Sequence, residues 1–154
     1  MAKIRKIVSG GQTGVDRAAF DFALENGVES GGFVPQNRRA EDGRIAGKYP
    51  NLIETETENP AERTESNVVN SDATLIVSRG DLQGGSLLTE ELAAKHKKPF
   101  LRVDLLEITR GQAVEKTLEW LDSIDCKILN VAGPRASEDA EIYEKTKDFL
   151  EALF

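Results

Sequence analysis

Apolar residues recur along the 154-residue chain in two alternating rhythms, short continuous runs and stretches repeating every three or four positions. Ile4, Ile7 and Val8 make the first run, which stops at Ser9-Gly10-Gly11. Val15, Ala18, Ala19, Phe22 and Ala23 follow at helical offsets and mark one buried face. Gly27 stands where such a helix would stop. Gly32-Phe33-Val34 is a short second run, cut off by Pro35. Residues 35–60 are polar and irregular, punctuated by Pro35, Pro50 and Pro60, and a connection of that length in a compact domain is often functional. The spacing then predicts a short helix over 61–71, a buried strand over 73–77, a helix over 86–97 and a fourth strand over 100–103. A helix over 111–124, with Val114, Leu118 and Leu121 inward, precedes a fifth strand over 128–131. A closing helix from about residue 138 carries Ile142, Thr146, Phe149, Leu150 and Leu153 on one face.

Strand and helix in alternation predict an α/β fold, a three-layer sandwich with a mostly parallel five-stranded sheet, in a single domain over 1–154. The runs at 73–77 and 128–131 are apolar but for Thr74 and Asn130, close to the continuous runs that strands buried on both faces should show.

Composition narrows the chemistry. The chain has 27 acidic and 20 basic side chains, a net charge of −7. Residues 1–50 carry eight Lys or Arg against six Asp or Glu, and the remainder twelve against twenty-one, so the excess basic charge sits in the first third. An acidic total argues against a nucleic-acid surface, which normally shows a basic face. It leaves room for a small anion held by a local group of donors. A single cysteine, Cys126, excludes an internal disulfide framework, and with a single histidine, His96, no metal site is expected. No apolar run approaches the ~20 residues needed to span a bilayer. The basic start reaches a glycine pair too soon for a secretory apolar segment, so the expected setting is cytoplasmic, without membrane partners.

Three strand-to-helix junctions place glycine beside small polar residues: Ser9-Gly10-Gly11-Gln12-Thr13-Gly14, Gly84-Gly85-Ser86, and Gly133-Pro134-Arg135-Ala136-Ser137. In a parallel sheet all such junctions lie at the carboxyl edge, where ligands bind. Each also offers a helix N-terminus with unspent N–H groups, so together they point to an anion, most simply a phosphate. A single glycine turn can equally be a tight connection. The first junction matches neither a P-loop nor the dinucleotide fingerprint. Asp16 and Arg17 open the first helix. Asp16 either complements the helix dipole, holds the Gln12-Thr13 turn or meets a ligand hydroxyl. Arg38, Arg39, Arg44 and Lys48 crowd the irregular segment, either as a solvated basic loop or as clamps over a phosphate or pterin. His96, near a helix end, is expected only to temper its dipole, and Cys126 to be a small, partly buried residue.

The stretches Gly-Gly-Gln-Thr-Gly-Val-Asp-Arg-Ala-Ala (10–19), Arg-Arg-Ala-Glu-Asp-Gly (38–43) and Arg-Thr-Glu-Ser-Asn-Val-Val-Asn-Ser-Asp-Ala-Thr-Leu-Ile (63–76) resemble the putative molybdenum carrier family. Gly-Gly-Ser-Leu-Leu-Thr (84–89) and Asn-Val-Ala-Gly-Pro-Arg-Ala-Ser (130–137) extend the resemblance over nearly the whole chain. That family is a branch of the SLOG superfamily of Rossmann-like nucleotide-binding proteins, whose relatives include phosphoribohydrolases misnamed lysine decarboxylases. Against those relatives the chain order looks circularly permuted. The resemblance therefore implies a central fifth strand, a sheet order 2-1-5-3-4, and Phe154 ending near Met1.

The hydrolases carry Arg, then Asp nine residues on, then a Pro-Gly-Gly-x-Gly-Thr-x-x-Glu motif. Arg63 and Asp72 keep that spacing, and Gly84, Gly85 and Glu91 match. Gln83 replaces the proline, and Leu87-Leu88 replace the Gly-Thr that cradles phosphate, leaving Ser86 and Thr89 as substitute hydroxyls. The resemblance implies a cytoplasmic, homodimeric binding protein for a phosphorylated small molecule, with the molybdenum cofactor or a nucleotide as ligand. The expected ligand-binding residues are Gly10, Gly11, Gln12, Thr13, Gly14, Asp16, Arg17, Arg38, Arg39, Gly84, Gly85, Ser86, Thr89, Gly133, Arg135 and Ser137. The alternative is N-glycosidic cleavage of a nucleoside 5′-monophosphate, with Arg63 and Glu91 as the catalytic pair.

Overall fold

The structure is a computed structural model that describes residues 4–154; Met1, and with it the expected closeness of the two termini, lies outside them. The first apolar run forms β1 (Lys6–Val8) and the periodic stretch after it forms α1 (Val15–Asn26), which Gly27 ends in the left-handed conformation at φ 66°. Next come β2 (Glu29–Val34), a single 3-10 turn (Gln36–Arg38), β3 (Arg39–Ala40), β4 (Gly43–Arg44) and β5 (Leu52–Glu54). The second half alternates strictly: α2 (Pro60–Val69), β6 (Ala73–Ser78), α3 (Gly84–Lys95), β7 (Phe100–Asp104), α4 (Arg110–Ser123), β8 (Ile128–Ala132) and α5 (Ile142–Leu153).

The main sheet has six strands in the order β5-β2-β1-β8-β6-β7, every adjacent pair parallel. The five expected strands keep their expected relative order, with β8 central between β1 and β6. The count and the full order differ from expectation, because Leu52–Glu54 adds β5 outside β2, in register Gly32↔Leu52 and Val34↔Glu54. That strand sits within the segment expected to be irregular. The same segment folds the separate β3–β4 hairpin and a small satellite core of Phe20, Val34, Ala40, Ile45 and Tyr49. The second strand also begins earlier than expected, at Glu29, since Ser30 and Gly31 pair with Ile7 and Val8.

Right-handed crossovers put α1, α4 and α5 on one face of the sheet and α2 and α3 on the other. The main core fills the first of these interfaces, with Val15, Ala19 and Phe22 of α1 and Ile142, Phe149 and Leu150 of α5 against Ile7, Leu75, Leu129 and Val131. Every residue of β6 is buried. Cys126 is buried fully rather than partly, and its thiol is pushed up to about 12 by burial. Asp72, matched in sequence to a hydrolase residue, lies at the opposite edge of the sheet from the glycine junctions. Its Oδ2 accepts the N–H groups of Lys127 (2.9 Å) and Ile128 (2.8 Å), fixing the start of β8. None of the described helices is long and apolar enough to cross a membrane.

The strands stay parallel, but the winding switches sides between β8, whose helix α5 packs on α1, and β6, whose helix leads outward to β7. Crevices form at such switch points. The loops after these two strands flank the site, and their approach depends on glycine. A Cβ on Gly133 would lie 2.2 Å from the Val77 carbonyl oxygen and 2.5 Å from a Val15 methyl. Gly133→Ala is therefore expected to destabilise the fold by about 2 kcal/mol or more, as overpacking typically does. Gly111→Ala, in α4 with open space around the new methyl, should stabilise it by roughly 0.5–1 kcal/mol. Chemical denaturation of the two variants checks both signs.

Candidate functional site

At the switch point a cleft of about 300 Å³ opens between the N-terminal ends of α2 and α3 and the loops after β1 and β8. Its lining includes ten of the expected ligand-binding and catalytic positions: Gly10, Gln12, Asp16, Arg63, Gly84, Gly85, Ser86, Thr89, Gly133 and Arg135.

The α3 end supplies donors with nothing else to do. Its N-cap, Gln83, makes no side-chain cap bond. Ser86 N–H donates back to the Gln83 carbonyl at 3.1 Å. Among the described residues the N–H groups of Gly84 and Gly85 have no partner, and neither does the hydroxyl of Ser86, a residue only 4% exposed. A Cβ on Gly85 would meet nothing within 4 Å, so this backbone is open to an incoming group. Thr89 is committed, its hydroxyl donating to the Gly85 carbonyl (2.8 Å). The preceding loop is held rigidly. Asp104 Oδ1 accepts Gly80 N–H (2.8 Å), Arg102 Nη2 donates to the Gly80 carbonyl (2.9 Å), and Arg79 pairs with Asp139 and Glu141.

Across the cleft, Arg63 on α2 donates through Nη1 to Asp16 Oδ2 at 2.9 Å and through Nε to the Pro60 carbonyl at 3.2 Å. Nη2 has no partner among the described residues. Gly10 makes this placement feasible, since a Cβ there would lie 1.8 Å from Arg63 Nη1. Asp16 Oδ2 also accepts Gln12 N–H (3.3 Å). Asp16 thus holds the turn, one of the roles its position left open, and also orients the arginine, a role the sequence did not suggest. Burial raises its carboxyl above the ordinary 3.8, against the opposing pull of Arg63.

The first and third junctions behave differently from the second. Thr13 N–H donates to Gln12 Oε1 (3.0 Å), Ala136 N–H to Thr13 Oγ1 (3.0 Å), and Arg135 N–H to Glu138 Oε1 (3.2 Å). Ser137 N–H and Oγ both donate to Glu41, and Thr13 Oγ1 does too. These donors are spent inside the protein. Gly14 and Gly11 serve packing: at φ 81° a Cβ on Gly14 would strike the Pro134 carbonyl at 2.3 Å, and one on Gly11 would lie 2.6 Å from Ile45.

Gly11, Thr13, Gly14, Arg17, Arg38, Arg39 and Ser137 do not line the cleft. Arg17 clamps the Gly11 carbonyl and forms a bidentate pair with Asp42. Arg39 is 70% exposed beside Glu58. Arg38 is left-handed at φ 53° with Nη1 buried. Glu91 is exposed on α3, away from the lining. His96 caps the far end of α3 and meets Glu65 at 2.8 Å. The cleft adds residues that the sequence reading passed over, among them Asn59, Thr64, Asn67, Asn130 and Glu138. Asn130 interrupts an otherwise apolar strand and Asn59 precedes a helix-opening proline, which are the two signals that were available.

The profile of the family described as circularly permutated YpsA SLOG matches residues 7–154. The chain belongs to the circularly permuted YpsA SLOG family. A crystal structure of a putative molybdenum carrier protein from Syntrophus aciditrophicus SB is 48% identical, covers 99% of this chain and 96% of its own, and superposes with a TM-score of 0.97. No curated protein matches. In this SLOG chain the last strand, β8, lies between β1 and β6.

Breaking one half of a buried ion pair strands the other charge, a loss of about 3–5 kcal/mol. Arg63→Ala should therefore be strongly destabilising, and Asp16→Asn added to it should restore part of the loss. A denaturant double-mutant cycle measures both. Acid should also weaken the loop network. Burial raises the Glu41 carboxyl, but bonds from Ser137 and Thr13 outweigh it and hold it below 4.5. The Ile128 N–H leads in holding Asp72 below 3.8. Stability from such depressed carboxylates is complete above their unfolded values and lost as pH falls through the folded ones. Asp16, raised, acts in the opposite sense. The melting temperature is expected to fall below about pH 4.5, and less steeply in Glu41→Gln.

Proposed function

We propose that the cleft binds a phosphorylated small molecule, with its phosphate on the N-terminus of α3. The observation that carries this reading is the set of unspent donors at one place: Gly84 and Gly85 N–H, the Ser86 hydroxyl, and Arg63 Nη2 on the facing wall. Oxyanions are favoured at a helix N-terminus by its dipole and its open N–H groups. A guanidinium adds a charge-assisted donor. The volume falls at the lower end of small-ligand sites, about 300–1000 Å³.

Family membership and the name of the Syntrophus protein support the molybdenum cofactor as one candidate cargo, and a nucleotide is the other. The residues fit the organic part of the cofactor. Its phosphate would lie on α3, and its pterin would face Gln12 Nε2 and Asn130 Oδ1, Asn67 being spent on the Phe33 backbone. The metal end is not provided for. The described residues contain no group of His, Cys, Asp and Glu suited to a metal, and Cys126 is buried with its thiol protonated.

Binding is favoured over N-glycosidic cleavage by the place of the carboxylates. Glu91 stands outside the lining, and the two carboxylates that reach it, Asp16 and Glu138, are engaged by Arg63 and by the Arg135 N–H. Incubation with AMP should release no base above background, and Glu91→Gln should be indistinguishable from the parent.

Gly85→Asp tests the binding reading without threatening the fold. A carboxylate in the first turn favours a helix by about 0.3–1 kcal/mol, yet it occupies the proposed phosphate seat. Isothermal titration with AMP and with molybdenum cofactor should show affinity for at least one reduced tenfold or more, with the melting temperature unchanged or higher. Equal affinity in parent and variant would overturn the reading.

A further inference from the structure

A second group of anion donors converges at the rim where the first and third junctions meet, and a side chain already fills it. Glu41 Oε1 accepts Ser137 N–H at 3.1 Å and the Thr13 hydroxyl, while Oε2 accepts the Ser137 hydroxyl at 2.6 Å. Arg135 Nε stands 3.7 Å from Oε2. Two hydroxyls and one backbone N–H donate to one carboxylate, with a guanidinium shared with Glu138 as nearby counter-charge, an arrangement by which proteins hold oxyanions.

The carboxylate belongs to neither loop. It sits at the tip of the β3–β4 hairpin, whose two-residue strands pair only with each other and form no part of the main sheet. The tip is fastened by few other polar contacts: Glu41 N–H on Gln12 Oε1 (2.9 Å) and the Asp42 pair with Arg17. The donors, by contrast, are anchored without Glu41. Ala136 N–H donates to Thr13 Oγ1, and Val15 N–H donates to the Pro134 carbonyl at 3.1 Å, tying the third junction to the start of α1. Removing the carboxylate therefore leaves a preformed set rather than a collapsed one.

We propose that this rim is a second oxyanion site, distinct from the seat on α3, in which Glu41 is the resident anion and with which a phosphate group competes. The hairpin tip closes the site when no phosphate is present and is released when one enters. The two sites adjoin, because Arg135 borders both. A ligand with two phosphoryl groups suitably spaced would therefore engage the α3 end and the rim together.

The test uses inorganic phosphate on the full chain carrying Gly85→Asp, which blocks the α3 seat and isolates the rim. In that background Glu41→Ala should bind phosphate at least tenfold more tightly by titration, with the largest amide shifts at Ser137 and Ala136. Adding Ser137→Ala should abolish the gain. Glu41→Gln, which keeps the side-chain length and removes the charge, is measured in parallel and should gain in the same direction should Glu41→Ala fail to fold. Unchanged phosphate affinity in whichever variant folds overturns the proposal. This result is independent of the α3 seat, whose failure would show instead as unaltered ligand binding in Gly85→Asp alone.

Discussion

No helix can satisfy its own first N–H groups, and the way each helix here solves that problem sets the function of the molecule. For α2, Asn59 accepts Ala61 N–H and a proline removes one donor. For α4, Thr109 and Gln112 form a reciprocal capping box. For α1, the Pro134 carbonyl accepts Val15 N–H. At α3, as at Arg110 and Gly111 of α4, the first two N–H groups stay open among the described residues, but only the α3 pair lines the crevice where the strand order switches. An anion from outside is the natural cap.

The rest of the site holds that opening in shape. The buried Asp16–Arg63 pair ties the turn after β1 to α2 and points the remaining guanidinium edge across the cleft. Arg102 and Asp104 grip Gly80 and fix the loop that leads into α3. Glu41, Thr13 and Ser137 lock the first and third junctions to the hairpin. The site is thus a small set of open donors inside a network of satisfied ones, which is how a rigid binding surface differs from a merely polar one.

Much of the fold was legible in the sequence because burial on both faces leaves a nearly continuous apolar run. Residues 73–77 and 128–131 could hardly be read otherwise, and the helical offsets from Val15 to Ala23 identified α1. β5 was hidden, since three residues with Ile53 more than half exposed carry no pattern of their own. They become a strand only through pairing with β2. The central place of β8 came from the resemblance in chain order, and periodicity was silent on it. In the site, glycine content marked three junctions alike, but glycine answers two different needs. Gly14 and Gly133 let one loop lie against another, whereas Gly84 and Gly85 leave backbone open to a ligand. Nothing local distinguishes these cases, because the deciding atoms, the Pro134 and Val77 carbonyls, are distant in sequence or on another element. The same holds for Thr13, Arg17 and Ser137, whose donors are consumed by Glu41, Asp42 and Gly11.

The most direct measurement is a two-dimensional amide spectrum of the isotopically labelled protein during titration with AMP. The account requires the largest shifts at Gly84 and Gly85, with smaller changes at Ser86 and the Arg63 side chain. Shifts that leave Gly84 and Gly85 unmoved while other parts of the protein respond would contradict it.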